Sequence, residues 1–304
     1  VYSSHQSGDF FPVGTTTVTY TVVDQAGNQA SCSFTVTVND TEAPVITCPA
    51  DIVVSQDPSL CPNACGAVVT FADATATDNC PGVGVAQTGG LASGSTFPIG
   101  TSTVTYTATD AAGNIALCSF AITVTALAPT ASIANADPTD VCEDDPTVAL
   151  SGNNLGACFS GLWTASGPGS VSFAPSATDP NATATFTGVG SYTVTWTVTA
   201  NCTNATASDA ITVNVNALPL IDSISANDPL MVGASDGDAT AHVSGGLAPY
   251  TYLWSDGQTT QTAIGLSAGT YCVTVTDAKG CTATGCVTLF DPPLTRICKM
   301  VDWM

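Results

Sequence analysis

The stretch FPVGTTTVTYTVVDQAGNQASCSF occupies residues 11–34, and FPIGTSTVTYTATDAAGNIALCSF repeats it at residues 97–120. Carried on to residues 38 and 124, the two copies are identical at 19 of 28 positions. An internal repeat comes before any other fact in the organisation of a chain. Each copy has a G-T-x-T-V-T-Y-T run of alternating apolar and polar residues, a polar DQAGN or DAAGN, and a second alternating run, CSFTVTV or CSFAITV. A period of two puts Val18, Tyr20 and Val22 on one face, and Phe34, Val36 and Val38 on one face of the return run. This predicts a β-hairpin with one buried face, in which Gly27 and Gly113 supply the unusual backbone angle of the turn. The second copy stands at the back of a domain-sized segment, whereas the first has ten residues in front of it.

Composition extends the β reading to the whole chain. Of 304 residues, 44% are hydrophobic and 9% charged, and Thr, Ala, Val, Ser and Gly dominate. Thr and Val are β-branched and favour strands. No stretch sustains a helical period, and Gly and Pro recur at short intervals, so the expected class is all-β with many turns. Twenty-four acidic residues face three basic ones, Lys279, Arg296 and Lys299, for a net charge of −21. Phosphate would be repelled, so nucleic acid and anionic lipid are excluded as partners. No apolar run is long enough to span a bilayer.

Thirteen cysteines are scattered through strand-like segments, and the two histidines, His5 and His242, are isolated. Zinc spacing is absent, so the cysteines read as structural disulfides in an oxidising compartment. The odd number leaves at least one thiol free or bonded to another chain.

Residues 43–127 hold Thr47-Cys48-Pro49, Cys65-Gly66-Ala67, Thr77-Asp78-Asn79-Cys80, Phe97-Pro98 and a D-x-x-G-N-x-x-x-C run from Asp110 to Cys118. This pattern closely resembles the hyalin repeat, or HYR, domain, an immunoglobulin-like sandwich associated with adhesion. The resemblance implies the bridges Cys48–Cys118 and Cys65–Cys80, with Cys61 extra to the pattern and the second pairing left open. Residues 1–42 resemble the C-terminal half of the same domain. Residues 128–217, with GVGSYTVTWTVTANC and DAITVNV, look like a PKD-like or related Ig-like surface domain. There Cys142 and Cys202 are candidates to tie the sandwich ends, Cys158 has no evident mate, and Trp163 and Trp196 read as core. Residues 218–291 carry SGGLAPYTYLWSDG, LSAGTYCVTVTD and GCTAT, and resemble the SprB repeat of gliding-bacterial adhesins. Cys272 and Cys286 lie on strands that a hairpin would bring together, while Cys281 lacks the family's usual early partner. The combination of units looks like a secreted, cell-associated surface protein of Bacteroidota. The expected fold is therefore a tandem array of immunoglobulin-like β-sandwiches, the first one incomplete.

Reactive chemistry is not visible. No GxSxG, HExxH or phosphate-binding loop occurs, and the Glu143-Asp144-Asp145 run reads as a solvated turn, so no enzyme is expected. Calcium is the one cofactor the carboxylates would suit. Its candidates are Asp24 and Asp110 in the hairpin turns and Asp40 and Glu42 in the polar junction 39–44. The competing reading is that Asp in these turns bonds its own backbone. Tyr250, Tyr252 and Trp254 alternate onto one face, as a glycan platform would, although in related units that face is core.

The half domain sets a last expectation. A lone hairpin would expose an apolar face and open edges, which invite pairing. The tail, residues 292–304, reads LTRICKMVDWM after a double proline, with Cys298, Arg296 and Lys299. It could add a strand to the incomplete sandwich of another copy, with Cys298 bonding Cys32 in a head-to-tail homopolymer. The alternative is a piece of a giant adhesin, in which neighbouring domains of the longer chain are the partners.

Overall fold

The computed structural model describes residues 1–134 and 139–293. They divide into two compact units, the first Val1–Leu127 and the second beginning at Ala128. Apart from one 3-10 turn, Pro58–Leu60, the regular structure is β, and among the described residues no helix is long and apolar enough to cross a membrane.

In the first unit, β1 (Tyr2–Ser3), β2 (Gly14–Val23) and β3 (Gln29–Val38) form one three-stranded sheet in that order. The unit continues with β4 (Val45–Thr47), β5 (Ile52–Ser55), β6 (Gly66–Val69), β7 (Thr75–Thr77), β8 (Gly84–Gly89), β9 (Ser95–Pro98), β10 (Gly100–Thr109) and β11 (Ile115–Thr125). The repeated stretches are the hairpins β2–β3 and β10–β11, in matching register: Gly14 opposes Val38 as Gly100 opposes Val124. Gly27 and Gly113 sit at φ 87° and 94°, where a side chain would be strained. Even the third strand is shared, since β1 meets β2 at Thr21 and Tyr20 where β8 meets β10 at Thr107 and Tyr106.

The two copies then diverge. A sheet of order β5-β11-β10-β8, with β5 parallel to β11, is faced by the pairs β4–β7 and β6–β9. Between them lie Phe97, Val104, Tyr106, Phe120, Ile122 and Val124, with Phe71 edge-on to Phe97 and Phe120. A Cβ on Gly66 would lie 2.1 Å from the carbonyl oxygen of Phe97, so the β6–β9 contact needs glycine there. Cys48 bonds Cys118 and ties β11 to the facing layer. No such layer faces β2–β3 among the described residues.

The second unit holds two sandwiches. The first contains β12 (Asp140–Cys142), β13 (Thr147–Ala149), β14 (Phe159–Ser166), β15 (Val171–Ala174), β16 (Thr183–Phe186), β17 (Gly190–Ala200) and β18 (Thr206–Asn216). A sheet β12-β18-β17-β14 packs on β13-β16-β15 around Trp163 and Trp196, whose rings lie 4.8 Å apart. Both indole N–H groups are satisfied, by Asp179 O at 2.9 Å and Asn153 Oδ1 at 3.1 Å. The other sandwich is built from β19 (Pro219–Asn227), β20 (Gly237–Gly245), β21 (Thr251–Trp254), β22 (Thr262–Leu266), β23 (Gly269–Thr276) and β24 (Thr282–Leu289). Its sheets β19-β20-β22 and β21-β23-β24 enclose Trp254, Leu266, Val273, Val275 and Leu289.

Two disulfide expectations are corrected. Cys142 bonds Cys281, not Cys202. Cys142 lies beside Asn216 at the far end of β18, and Cys202 precedes its start at Thr206. Ten steps at about 3.3 Å separate them. Cys65 is bonded, but not to Cys80, which is a free thiol. The chain holds them at opposite ends of β10: Cys65 O accepts from Ile99 N at the Gly100 end, and Cys80 lies among the charges of the Asp110 turn. Cys272 and Cys286 are opposed on β23 and β24 and are bonded. Cys61, Cys158 and Cys202 are also disulfide-bonded.

Candidate functional site: an uncovered sheet face and an acidic junction

The repeat allows a residue-by-residue comparison of one hairpin in two surroundings. Tyr106 is 1% exposed and its counterpart Tyr20 is 40% exposed; Phe120 is 4% exposed and Phe34 is 52%. Ala108 is buried where Val22 is exposed. Of the first copy's inward-facing residues, Val18 alone is fully buried. The loop before β2 shields part of the face: His5 stacks on Phe11 at 5.1 Å, and together they wall a shallow recess of about 230 Å³ against Val18, Tyr20, Phe34 and Val36. Tyr20 and Phe34 stack on each other, 6.3 Å apart, with solvent beyond. The outer edge of β3, which in β11 carries the parallel strand β5, has no partner among the described residues.

Cys32 opposes Tyr20 on this hairpin as Cys118 opposes Tyr106. It is exposed and free. Cys298 lies outside the described residues, as do Arg296 and Lys299.

The calcium candidates separate into two kinds. Asp24 Oδ1 accepts from the Ala26 and Asn28 N–H groups at 2.8 Å, and Oδ2 accepts from Asn28 Nδ2 at 2.9 Å. Its pKa is lowered from 3.8, first by the Asn28 side chain and then by the backbone of the same turn. Asp110 repeats the bonds to Asn114, with both distances 2.8 Å. Asp277 likewise accepts from the N–H groups of Lys279, Cys281 and Leu247. These carboxylates are occupied as Asx-turn caps. Asp40 and Glu42, on the linker between the hairpin and the complete module, differ. Asp40 Oδ1 takes one N–H, from Glu42 at 3.2 Å, and Glu42 Oε2 accepts from Asn79 Nδ2 at 2.6 Å. Beside them the structure brings in two residues that the sequence left aside as metal candidates. One ligand atom each of Asp40, Asp78 and Cys80 lies within 4.8 Å of the others.

The aromatic row is not a platform. Trp254 is 1% exposed, with its Nε1 bonded to Thr260 O at 2.9 Å, so the face shared by Tyr250, Tyr252 and Trp254 is core.

Residues 1–38 and 39–124 match the HYR domain, and residues 225–259 match the SprB repeat. The chain is 43% identical over 123 residues to the Hyalin of Lytechinus variegatus, covering 40% of this chain and 22% of that protein. It is 34% identical over 214 residues to the Hyalin of Strongylocentrotus purpuratus, covering 70% of this chain and 17% of that protein. The chain thus spans about a fifth of the length of these relatives. Among solved structures, the N-terminal eight Ig domains of Down Syndrome Cell Adhesion Molecule align over 91% of this chain and 39% of that one, at 11% identity and a TM-score of 0.38.

Proposed function

We propose that the chain is a non-enzymatic, extracellular structural and adhesive protein whose tandem immunoglobulin-like modules build a surface fibre or stalk. The observation that carries this reading is the uncovered β2–β3 face, an apolar sheet presenting Tyr20, Val22 and Phe34 beside the exposed thiol of Cys32. Exposed contiguous apolar surface with an open strand edge belongs to a protein interface. The disulfides support an oxidising, extracellular location. The likeness to hyalins and the match to the SprB repeat support the structural and adhesive part of this reading.

In this reading the missing layer over β2–β3 is supplied by added strands. The head-to-tail form has the tail of another copy pair with β3 and Cys298 bond Cys32, giving a contact that repeats without closing. A second reading has the covering strands come from the same, longer chain of a giant adhesin, and it too accounts for the free edge of β3.

Electrophoresis of the native protein with and without reductant, beside negative-stain images, separates these readings. Head-to-tail donation gives a ladder that collapses to one band on reduction, thin fibres, and loss of both in Cys32→Ser. A single band in both lanes without fibres removes polymerisation and leaves the longer-adhesin reading.

A further inference from the structure

The two sandwiches of the second unit are tied by one long covalent link, since Cys142 and Cys281 are bonded across 139 positions of sequence. The placement of that link is unusual in what it encloses. Cys142 ends β12, the first strand of one sandwich, and Cys281 immediately precedes β24, the last strand of the other. The loop closed by the bond, residues 143–280, therefore holds every strand from β13 to β23. It also holds the buried residues of both cores, with the exceptions of Val141 and Leu289. A Cys142–Cys202 bond would have closed off part of one sandwich and none of the other.

Each end of the link is fixed to its own sandwich. Glu143 N donates to Asn216 O at 3.0 Å and Asn216 Nδ2 donates to Val141 O at 3.2 Å, which holds Cys142 against the end of β18. Cys281 is 1% exposed. Its N–H and that of Lys279 donate to Asp277 Oδ1, and Asp277 Oδ2 accepts from Leu247 N. Little regular structure lies outside the loop. β12 adds three residue pairs to β18, and β24 is fastened to β23 a second time through Cys272–Cys286.

We propose that the second unit carries tension along the chain through Cys142–Cys281, so that residues 143–280 stay folded while the chain is stretched. Force follows the shortest covalent route. Pulled from both sides, the chain runs from Ala128 to Cys142, crosses the bond to Cys281 and leaves along β24. Forced unfolding is a matter of how fast noncovalent contacts give way under pull. Contacts inside the loop feel no pull, because a covalent bond spans them. β12 and β24 can be stripped away while the other strands of both sandwiches remain slack. The first unit repeats the plan on a smaller scale: Cys48–Cys118 spans 70 positions and encloses β5 to β10. This mechanical role rests on the fibre or stalk reading, since a chain anchored on one side and held on the other is one that is stretched.

The test stretches single oxidised chains of all 304 residues in optical tweezers, held by terminal peptide tags and with free thiols alkylated. Their final extended length is compared with that of chains in which every cysteine is reduced and alkylated, a length that does not depend on whether the reduced chain folds. Reduction should add roughly 460–500 Å for the 139 positions of the second unit and roughly 230–250 Å for the 70 of the first, at about 3.3–3.6 Å per residue. Oxidised chains should show no unfolding step from within 143–280. Cys142→Ser with Cys281→Ser, still oxidised elsewhere, should show such steps and regain at least about half of the larger increment. Cys272→Ser with Cys286→Ser should leave the length unchanged, because tension already passes from Cys281 to Cys286 along the backbone of β24. An increment on reduction no larger than that of the first unit overturns the proposal, as does a Cys142/Cys281 double variant no longer than the parent chain. A lengthening of the Cys272/Cys286 variant equal to that of the other pair also overturns it, by moving the force path to that bond. Single chains are stretched, so a failure to form fibres in electrophoresis leaves this result standing, and a failure here leaves the fibre reading to its own test.

Discussion

Asp110 is 7% exposed yet stays charged, because its turn was built around the anion. Burial pulls its pKa up, but hydrogen bonds from the Asn114 side chain and backbone and from the Gly113 and Ala112 N–H groups pull it further down, to below 3.8. A carboxyl depressed in the folded state contributes stability that is present above its unfolded pKa and lost as pH falls through the folded one. The first unit should therefore lose stability below about pH 4, and the loss should be shallower in Asp110→Asn. Acid titration of both proteins by circular dichroism checks this; equal slopes would show that the turn's bonds do not favour the charged form. Cys32 and Cys80 are the free thiols of the described chain, and they differ in kind. Cys32 is open to solvent on a sheet, whereas Cys80 is held protonated among carboxylates. Alkylation at neutral pH should accordingly mark Cys32 well before Cys80, a difference that mass spectrometry of timed samples resolves.

At the scale of the element, the two hairpins form a natural experiment in burial. They share sequence, register and turn, and differ in what faces them. Phe120→Ala should cost about 3–5 kcal/mol, the usual penalty for emptying a core aromatic site. Phe34→Ala, at the matching but half-exposed position, should cost less than about 1 kcal/mol. Denaturant unfolding of the two variants measures the contrast. A large loss in Phe34→Ala would mean that β2–β3 is covered in solution, which is itself a signature of strand donation. Phe34→Thr should also reduce self-association, because it removes apolar surface from an open sheet.

For the molecule as a whole, the joint within the second unit matters most. Cys142–Cys281 joins residues 139 apart and fastens the end of β12 to the loop after β23 of the other sandwich. Beside it Lys279, the one described Lys or Arg, pairs with Asp140 at 3.2 Å. The Lys279 bond and then those of Asn216 and Asn214 outweigh burial and lower the pKa of Asp140. Both partners are 36% exposed, so the ion pair is worth only about 0–1 kcal/mol, and the disulfide is the principal tie. Replacing Cys142 and Cys281 together by Ser should split one cooperative unfolding event of the two sandwiches into two in scanning calorimetry. Lys279→Ala should leave it single. A single transition in the double variant would assign the coupling to packing alone.

Whatever depends on neighbours along the chain was legible in the sequence. Strict alternation, β-branched residues and two turn glycines determine both hairpins, and the Cys272–Cys286 bond follows because a hairpin sets residues 14 apart face to face. The HYR and SprB motifs could likewise be read without coordinates. The partner of Cys142 could not, since it lies in another sandwich and no local period records how modules pack. Nor could the freedom of Cys80, which depends on the length of β10 holding it away from Cys65. Nor could the approach of Asp78 to Asp40, since the Thr77-Asp78-Asn79-Cys80 motif points only to its cysteine and no local period brings the linker 39–44 beside it. Most telling is the repeated hairpin. Alternation decides which face of a strand is apolar, because the backbone turns its side chains over at every residue. Whether that face is buried is decided by strands distant in sequence, so Phe120 and Phe34, alike in pattern, end in different solvents.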